Sequence, residues 1–218
     1  TERVREAAKA MDCGDEALLI DTGLGIGDLR TMVETLVDGP VHVLLTHSHW
    51  DHLGAATQFD DVVINDRERA PDGTVSLDVL EDDYDQRPKE FIAEWLESDK
   101  DLPEGFDPDS YGIDPIPDVG AISPGETFSV GDRGFELIGI PGHTPGLLAV
   151  LDREAGVCHG SDLLEPGIDI FAHFIDSNLD AYRESIDRLR TYREDGAFDT
   201  LTIGHGEPIR GDDLSVLD

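Results

Sequence analysis

Val41-His42-Val43-Leu44-Leu45-Thr46-His47-Ser48-His49-Trp50-Asp51-His52 decides how this chain is read. Its first half is a largely apolar run that follows Gly39-Pro40, and a run of that length after a turn signal predicts a buried β-strand. Its second half packs three imidazoles and a carboxylate into six residues, a density that points to metal coordination. The donors would emerge at the carboxyl end of the strand, where α/β sheets place their sites. His47 and His49 are two apart in extended chain and can face the same way. Asp51 and His52 are expected at a turn before a helix that begins near Leu53-Gly54-Ala55-Ala56, which lets them address a second cation instead of crowding the first.

Further donors stand where other strands are expected to end. His143 lies in Gly142-His143-Thr144-Pro145-Gly146 after the apolar run Phe135 to Ile140; Asp162 lies in Gly160-Ser161-Asp162 after Gly156-Val157-Cys158; His205 lies in Gly204-His205-Gly206 after Leu201-Thr202-Ile203. Glycine beside a donor lets the backbone turn sharply and approach an ion closely. Five histidines and two aspartates would satisfy two borderline cations that share a water. Burying so many ionisable groups with no cation would cost several kcal/mol, roughly.

In its order of motifs the chain resembles the metallo-β-lactamase superfamily, and within it the binuclear hydrolase branch that includes glyoxalase II-like enzymes. The resemblance rests on Asp21-Thr22-Gly23, the His47 to His52 cluster, Gly142-His143-Thr144, Gly160-Ser161-Asp162 and Gly204-His205-Gly206. It implies that His47, His49 and His143 hold one metal and Asp51, His52 and His205 the other, with Asp162 bridging and Asp21 shaping the loop behind them. Residue 49 is His where the flavodiiron branch has Glu, which favours hydrolysis over redox chemistry. The short acidic tail after His205 lacks the basic and aromatic helical region with which glyoxalase II binds glutathione, so the thiol carrier stays open.

The element pattern fits an α/β fold of the αββα four-layer sandwich type, two sheets face to face with helices outside. Residues 1–218 are read as a single domain. Ala17 to Ile20 and Val62 to Ile64 are expected strands; Thr127 to Val130 and Phe135 to Ile140 are an expected hairpin across Gly131 to Gly134; Leu147 to Leu151 should pair with Val157-Cys158. Leu29, Met32, Val33, Leu36 and Val37 fall at helical spacing with Asp28 as N-cap; Phe91, Ile92, Trp95 and Leu96 do so after Pro88; Leu179, Tyr182, Ile186 and Leu189 do so late in the chain. Residues 72–120 are an irregular, Asp- and Pro-rich insertion, read either as a cover for the metal cleft or as a solvated excursion.

After Asp162, His173 and Phe171 are the candidate substrate contacts, with Phe174 as a second apolar wall; a packed structural role for His173 is the alternative. His42 is expected to be structural, His159 either to support Asp162 or to fill the core, and Trp50 to pack on the sheet edge. The metal pair would acidify a shared water into a bridging hydroxide and polarise the scissile carbonyl, with Asp51 as the catalytic residue that orients the nucleophile and carries its proton. The expected activity is hydrolysis of a small ester, thioester or lactone. A tRNA-processing type of phosphodiesterase is the alternative from the same superfamily, although no basic exosite stands out beyond Arg188, Arg190 and Arg193, so nucleic acid is not the expected partner. A non-catalytic ligand-sensing scaffold is the third. Two divalent ions are implied; the N/O donor set suits Zn²⁺ and also accommodates Fe²⁺ or Mn²⁺.

No apolar stretch is long enough to span a bilayer, and Cys13 and Cys158 are too few for a disulfide framework, so a soluble cytoplasmic protein with a small-molecule substrate is expected. Composition adds a separate message. Asp and Glu number 49 against 16 Lys and Arg, a formal charge of −33, and 13 of those 16 are Arg. Such a chain repels itself in dilute buffer. At about 1 M salt the Debye length falls to roughly 3 Å and the repulsion is screened, which fits a halophile's cytoplasm. The melting temperature is expected to rise steeply with KCl from low to molar concentration, and a flat profile would refute salt adaptation.

Overall fold

The computed structural model describes residues 9–77, 86–98, 102–165, 170, 172, 174 and 176–218. The chain first lays down β1 (Lys9–Asp12), β2 (Ala17–Ile20), α1 (Leu29–Glu34), β3 (Val41–Leu45), the single helical turn α2 (Trp50–Leu53), β4 (Val62–Asn65), α3 (Arg87–Glu97) and β5 (Gly120–Ile122). It continues with β6 (Thr127–Val130), β7 (Arg133–Gly139), β8 (Leu148–Asp152), β9 (Val157–His159), α4 (Leu179–Glu194), β10 (Thr200–Thr202) and β11 (Ile209–Arg210). Strands β1 to β5 form one sheet in sequence order, parallel except for the β1–β2 pair. The second sheet has the order β11-β10-β9-β8-β7-β6 and is antiparallel except for β9 beside β10.

Side-chain alternation builds three apolar layers between four layers of structure. From β2 and β3, Leu18, Ile20 and Leu44 meet Phe135, Leu137, Leu148 and Val150 of the second sheet. Leu19, Val43 and Leu45 point the other way, against Val33 of α1, Leu53 and Ala56. Ala149, Leu151 and Cys158 face Tyr182 and Leu189 of α4. A strand buried on both faces shows no polar alternation, which is why β2 and β8 read as continuous apolar runs. The mixed α/β class and four-layer arrangement expected from sequence are therefore present.

Several elements differ from expectation in extent. Asp28 caps α1 as predicted, accepting from Thr31 N at 2.9 Å, but the helix ends by Thr35 and leaves Met32 and Leu36 exposed. The β6–β7 register, with Val130 opposite Arg133, shortens the hairpin loop to Gly131-Asp132. Residues 72–120 are only partly irregular: they contain α3, and Val75 bridges Ile116 where both are buried against the first sheet. Strands β1, β5 and β11 carried no sequence signal, each being short and without an apolar run. The tail is also more than acidic punctuation. Gly211–Leu217 forms a 3₁₀ turn that buries Leu214 and Leu217 on the second sheet.

The sheets are joined where the site lies. Leu148 N, at the start of β8, donates to Thr46 O, at the end of β3, at 3.1 Å. Among the described residues no helix is long and apolar enough to cross a membrane. Both cysteines are buried and unpaired, and burial pushes the Cys158 thiol up to about 12. Because Leu217 is fully buried in the last turn, Leu217→Ala is expected to cost about 2–5 kcal/mol in urea denaturation. Its exposed neighbour Val216 should tolerate Ala within about 0.5 kcal/mol.

Candidate metal centre

Five strand ends and turns deliver donors to one edge of the sandwich. β3 releases His47 and His49, and His49 occupies the N-cap position of α2. Asp51 and His52 lie within α2 itself, so the helical turn starts at Trp50, three residues earlier than expected. His143 sits in the β7–β8 turn, Asp162 in a 3₁₀ turn after β9, and His205 after β10.

The seven donors fall into two groups. His47, His49 and His143 bring their ring nitrogens within 4.8 Å of one another, and so do the donor atoms of Asp51, His52, Asp162 and His205. His143 Nε2 lies 2.9 Å from His49 Nδ1. Asp162 stands between the groups: its Oδ2 is 3.3 Å from His205 Nε2 and 3.7 Å from His143 Nε2, and its Oδ1 is 3.1 Å from His52 Nε2. Donors about 2.0–2.2 Å from a tetrahedral ion lie roughly 3.3–3.6 Å apart, close to these spacings. Buried Nε2 of His47 has no hydrogen-bond partner, an unsatisfied state that a cation would relieve. A Cβ on Gly204 would overlap Asp162 Oδ1 and crowd His52, so the cradle around this carboxylate requires glycine. The residues present therefore fit a pair of divalent ions.

A polar network behind the donors fixes their tautomers. Asp21 accepts from Thr46 N at 2.7 Å, from the Thr46 hydroxyl at 2.8 Å and from His52 Nδ1 at 2.8 Å. With its one proton given to Asp21, Thr46 Oγ1 accepts from Ser161 at 2.7 Å and from His47 Nδ1 at 3.1 Å. His47 Nε2 is thereby left to face the centre, and His52 would present its Nε2 lone pair once a bound cation displaced the second ring proton, the usual arrangement of a ligating histidine. Asp21 and Ser161 hold left-handed φ values of 57° and 46°, a conformation costing about 1–2 kcal/mol for an L-residue. Such strain persists where surrounding structure overdetermines it.

Glu68 supports the centre, a role the sequence did not reveal. Its buried carboxylate accepts from Ser48 N and Oγ at 3.1 and 2.7 Å and from Gly146 N at 2.6 Å. It thereby ties the His47–His49 segment to the His143 turn. Asn65 Nδ2 adds a bond to Gly146 O at 2.7 Å. Asp66-Arg67-Glu68-Arg69 reads as an ordinary charged surface turn, so only the fold identifies Glu68.

Around the centre, the Phe174 ring contacts those of His49 and His143 at centroid distances of 4.5 and 5.4 Å. Trp50 packs on Phe91 of α3 at 5.2 Å and against the apolar layer between the first sheet and its helices. Tyr111 is buried and bonded to Leu24 O; burial pushes its hydroxyl well above the ordinary phenol range, with the Asp51 charge adding to the effect. The 72–120 segment thus approaches the Asp51 side of the centre through α3 and Tyr111. Candidate residues His173 and Phe171 lie outside the described residues, as does Glu81 to Asp85. His42 is partnered, by Asp61 at 2.5 Å and Glu16 at 3.3 Å, and is remote in role from the metal cluster. His159 is buried, bonded to Thr202 Oγ1 at 2.5 Å, and lowered to about 4 by burial.

The two groups differ in charge. Burial and the neighbouring imidazoles lower His49 to about 3 and hold His47 well below its usual range. Burial also opposes charge on His52 and His205, but Asp162 with Asp21 and Asp51 overrides it on the first, and Asp162 with Asp51 raises the second to about 10. Despite burial, His52 and His205 in turn hold Asp51 and Asp162 below the ordinary carboxylate range. Among the described donors, the exposed side chains belong to this second group: those of Asp51 and His205 are 21% and 22% exposed, whereas that of His52 is fully buried.

Comparison with known proteins agrees with this architecture. A family model described as metallo-beta-lactamase superfamily matches residues 13–198. A chicken (Gallus gallus) protein named acyl-coenzyme A thioesterase MBLAC2 is 27% identical over 203 residues, 86% of this chain and 68% of that one. The atrochrysone carboxyl ACP thioesterase dmxR1 of Cryptosporiopsis sp. is 53% identical, over 45 residues that make 19% of this chain and 14% of that protein. Among solved structures, metallo-beta-lactamase family protein TTHA1429 of Thermus thermophilus superposes with a TM-score of 0.65 at 20% identity, covering 95% of this chain and 70% of its own.

The charge difference between the groups has a measurable consequence. Near pH 7 His47 and His49 are already neutral, so a cation held there displaces no proton from them. His205 is protonated up to about pH 10, so a cation held by its group must expel that proton, and its affinity should rise with pH through that range. Divalent metal titrated into metal-free protein in weak buffer is expected to release more protons as the His52–His205 group fills than as the His47–His49 group fills. Equal release from both groups would contradict the assigned charge states.

Proposed function

Because the chain belongs to the metallo-beta-lactamase superfamily, we propose that this metal-dependent hydrolase cleaves a thioester between a small acyl group and a thiol carrier. The observation that carries the reading is the opening of the centre at Asp51 and His205, with the other four histidines buried and the Asp162 side chain only 7% exposed. A structural ion is closed in on all sides, whereas a catalytic one keeps a position open to water and substrate. The thioesterases among the relatives favour a thioester over the other acyl substrates.

In this reading His47, His49 and His143 would hold one divalent ion and Asp51, His52 and His205 the other, with Asp162 serving both groups. Zn²⁺ suits the imidazole and carboxylate donors best, with Fe²⁺ or Mn²⁺ as alternatives. The ions, when bound, acidify water and polarise the scissile carbonyl. The protein supplies position and proton handling. Asp51, partly exposed and 3.1 Å from His205, orients the attacking water and takes its proton. The leaving thiolate needs little protonation near neutral pH, since thiols are far more acidic than alcohols. Phe174, lying on His49 and His143, walls the centre where the acyl chain would rest and keeps bulk water away. Asp21 and Glu68 act through the donors they fasten. Residues 1–218 function as one catalytic domain in this reading, supported by a core that draws on residues from Cys13 to Leu217.

The test is an assay of matched thioesters, oxygen esters, lactones and phosphodiesters, in molar KCl with Zn²⁺, Fe²⁺ or Mn²⁺ supplied. Thioester turnover is expected to dominate, to disappear on chelation, and to fall at least about 10³-fold in His47→Ala, in keeping with losses of catalytic electrostatic groups. Retained activity after chelation, or a phosphodiester as the preferred substrate, would overturn the assignment.

A further inference from the structure

Beside the His143 turn lies an open cleft of about 500 Å³ with a lining unlike the rest of the surface. Arg67, from the turn after β4, and Arg188, from the third turn of α4, both line it, together with Asn65, Tyr192, Pro141 and Pro145. None of the described lining residues is acidic. In a chain with 49 carboxylates against 16 basic residues, an acid-free cleft holding two guanidinium groups is a local reversal of charge.

The two arginines are available to different degrees. Several basic groups of this protein are spent on carboxylates, as with Arg30 on Glu34, Arg153 on Glu136 and Arg193 on Asp218. The exposed Arg67 guanidinium has no partner among the described residues, and its backbone N alone is bonded, to Asn65. Arg188 spends one nitrogen on Gly139 O, which pins it to the end of β7 and leaves its other N–H groups directed elsewhere. The carboxylate that meets lining residue Tyr192, that of Glu136, is engaged by the Tyr192 hydroxyl at 2.6 Å and by Arg153 at 2.7 Å. The cleft therefore offers a fork geometry suited to phosphate oxygens with little opposing charge.

Its place in the fold connects it to the chemistry. Pro141 and Pro145 each stand two residues from His143. Leu147 on the cleft wall precedes the residue that bonds to Thr46, and Asn65 on the same wall holds Gly146 O. One loop thus presents His143 to the metal centre and its proline shoulders to the cleft. A volume near 500 Å³ falls within the ordinary range for small-molecule sites, roughly 300–1,000 Å³.

We propose that this cleft binds the phosphate-bearing, nucleotide-like half of a small thiol carrier of the coenzyme A class, with Arg67 and Arg188 on its phosphates. The inference rests on the thioesterase reading and narrows it to a free phosphorylated carrier, since a carrier protein would bring a single phosphodiester beside a protein surface instead of several phosphates. Both guanidinium groups are exposed, so rising salt is expected to weaken binding.

Two measurements on the metal-loaded protein at fixed KCl test it separately from the parent reading. By calorimetry, adenosine 3′,5′-bisphosphate is expected to bind and adenosine to bind at least tenfold more weakly. Arg67→Ala should weaken the bisphosphate roughly tenfold or more, about the worth of one charge-assisted contact. By kinetics, the KM for an acyl-coenzyme A should lie well below that for the same acyl group on a phosphate-free thiol, and Arg67→Ala should narrow that ratio by a similar factor. Because Arg67 is exposed and its guanidinium has no partner among the described residues, its removal leaves folding intact, which an unchanged melting temperature verifies. Bisphosphate binding that is absent, or equal in wild type and Arg67→Ala, overturns the cleft assignment even if thioesters are hydrolysed. A strong preference for a carrier-protein thioester over the coenzyme A thioester overturns it too. Loss of all thioester turnover with bisphosphate binding intact would instead remove the thioesterase reading and leave the anion site standing.

Discussion

The carboxylate of Asp21 is the point on which the rest of the centre depends. It ends β2 in a strained left-handed turn and spends both oxygens on three donors, two from Thr46 and one from His52. Through Thr46 the constraint extends to His47 and, across 115 residues of sequence, to Ser161 beside Asp162. The segments that carry His47, His52 and Asp162 are therefore indexed to one buried group. Its charge is matched by the imidazole it faces, which is how a carboxylate can be kept in a core without a prohibitive desolvation cost.

Glu68 plays the complementary part on the other side of the cluster. Asp21 fixes the rings of His47 and His52 from behind, while Glu68 fixes the main chain at Ser48 and the turn that bears His143. Geometry at a reactive centre depends on such support as much as on the donors, because small displacements forfeit much of the benefit of orientation. The same turn also forms the shoulder of the arginine-lined cleft, so the cleft wall and a metal donor share one piece of backbone.

How much of this was legible in the sequence differs by kind of feature. The donor cluster, the three later donors and the four-layer architecture were readable because ligand chemistry restricts residue types, and because strands buried on both faces write continuous apolar runs. The short strands β1, β5 and β11 were not, since so few residues carry no periodicity. The start of α2 was misplaced because His49 stands at its N-cap without a side-chain cap hydrogen bond, so no Ser, Thr, Asp or Asn at the cap marked the boundary. Glu68 and Arg67 sit in one charged tetrapeptide that looks like solvated surface; one turns inward to three donors and the other outward to an acid-free cleft. Nothing local separates them. His42, expected to be structural, is held by two carboxylates that come from a preceding loop and the approach to β4.

The two donor groups each draw residues from both halves of the chain, and His49 and His143, which nearly touch, are 94 residues apart in sequence. An ion held by either group therefore closes a long loop of the unfolded chain, the topological role that disulfides fill in secreted proteins. Cys13 and Cys158 are unpaired, and coordination would take that role here. Such loop closures would be reversible and set by mass action, so the resistance of this sandwich to unfolding would track free metal concentration in its surroundings.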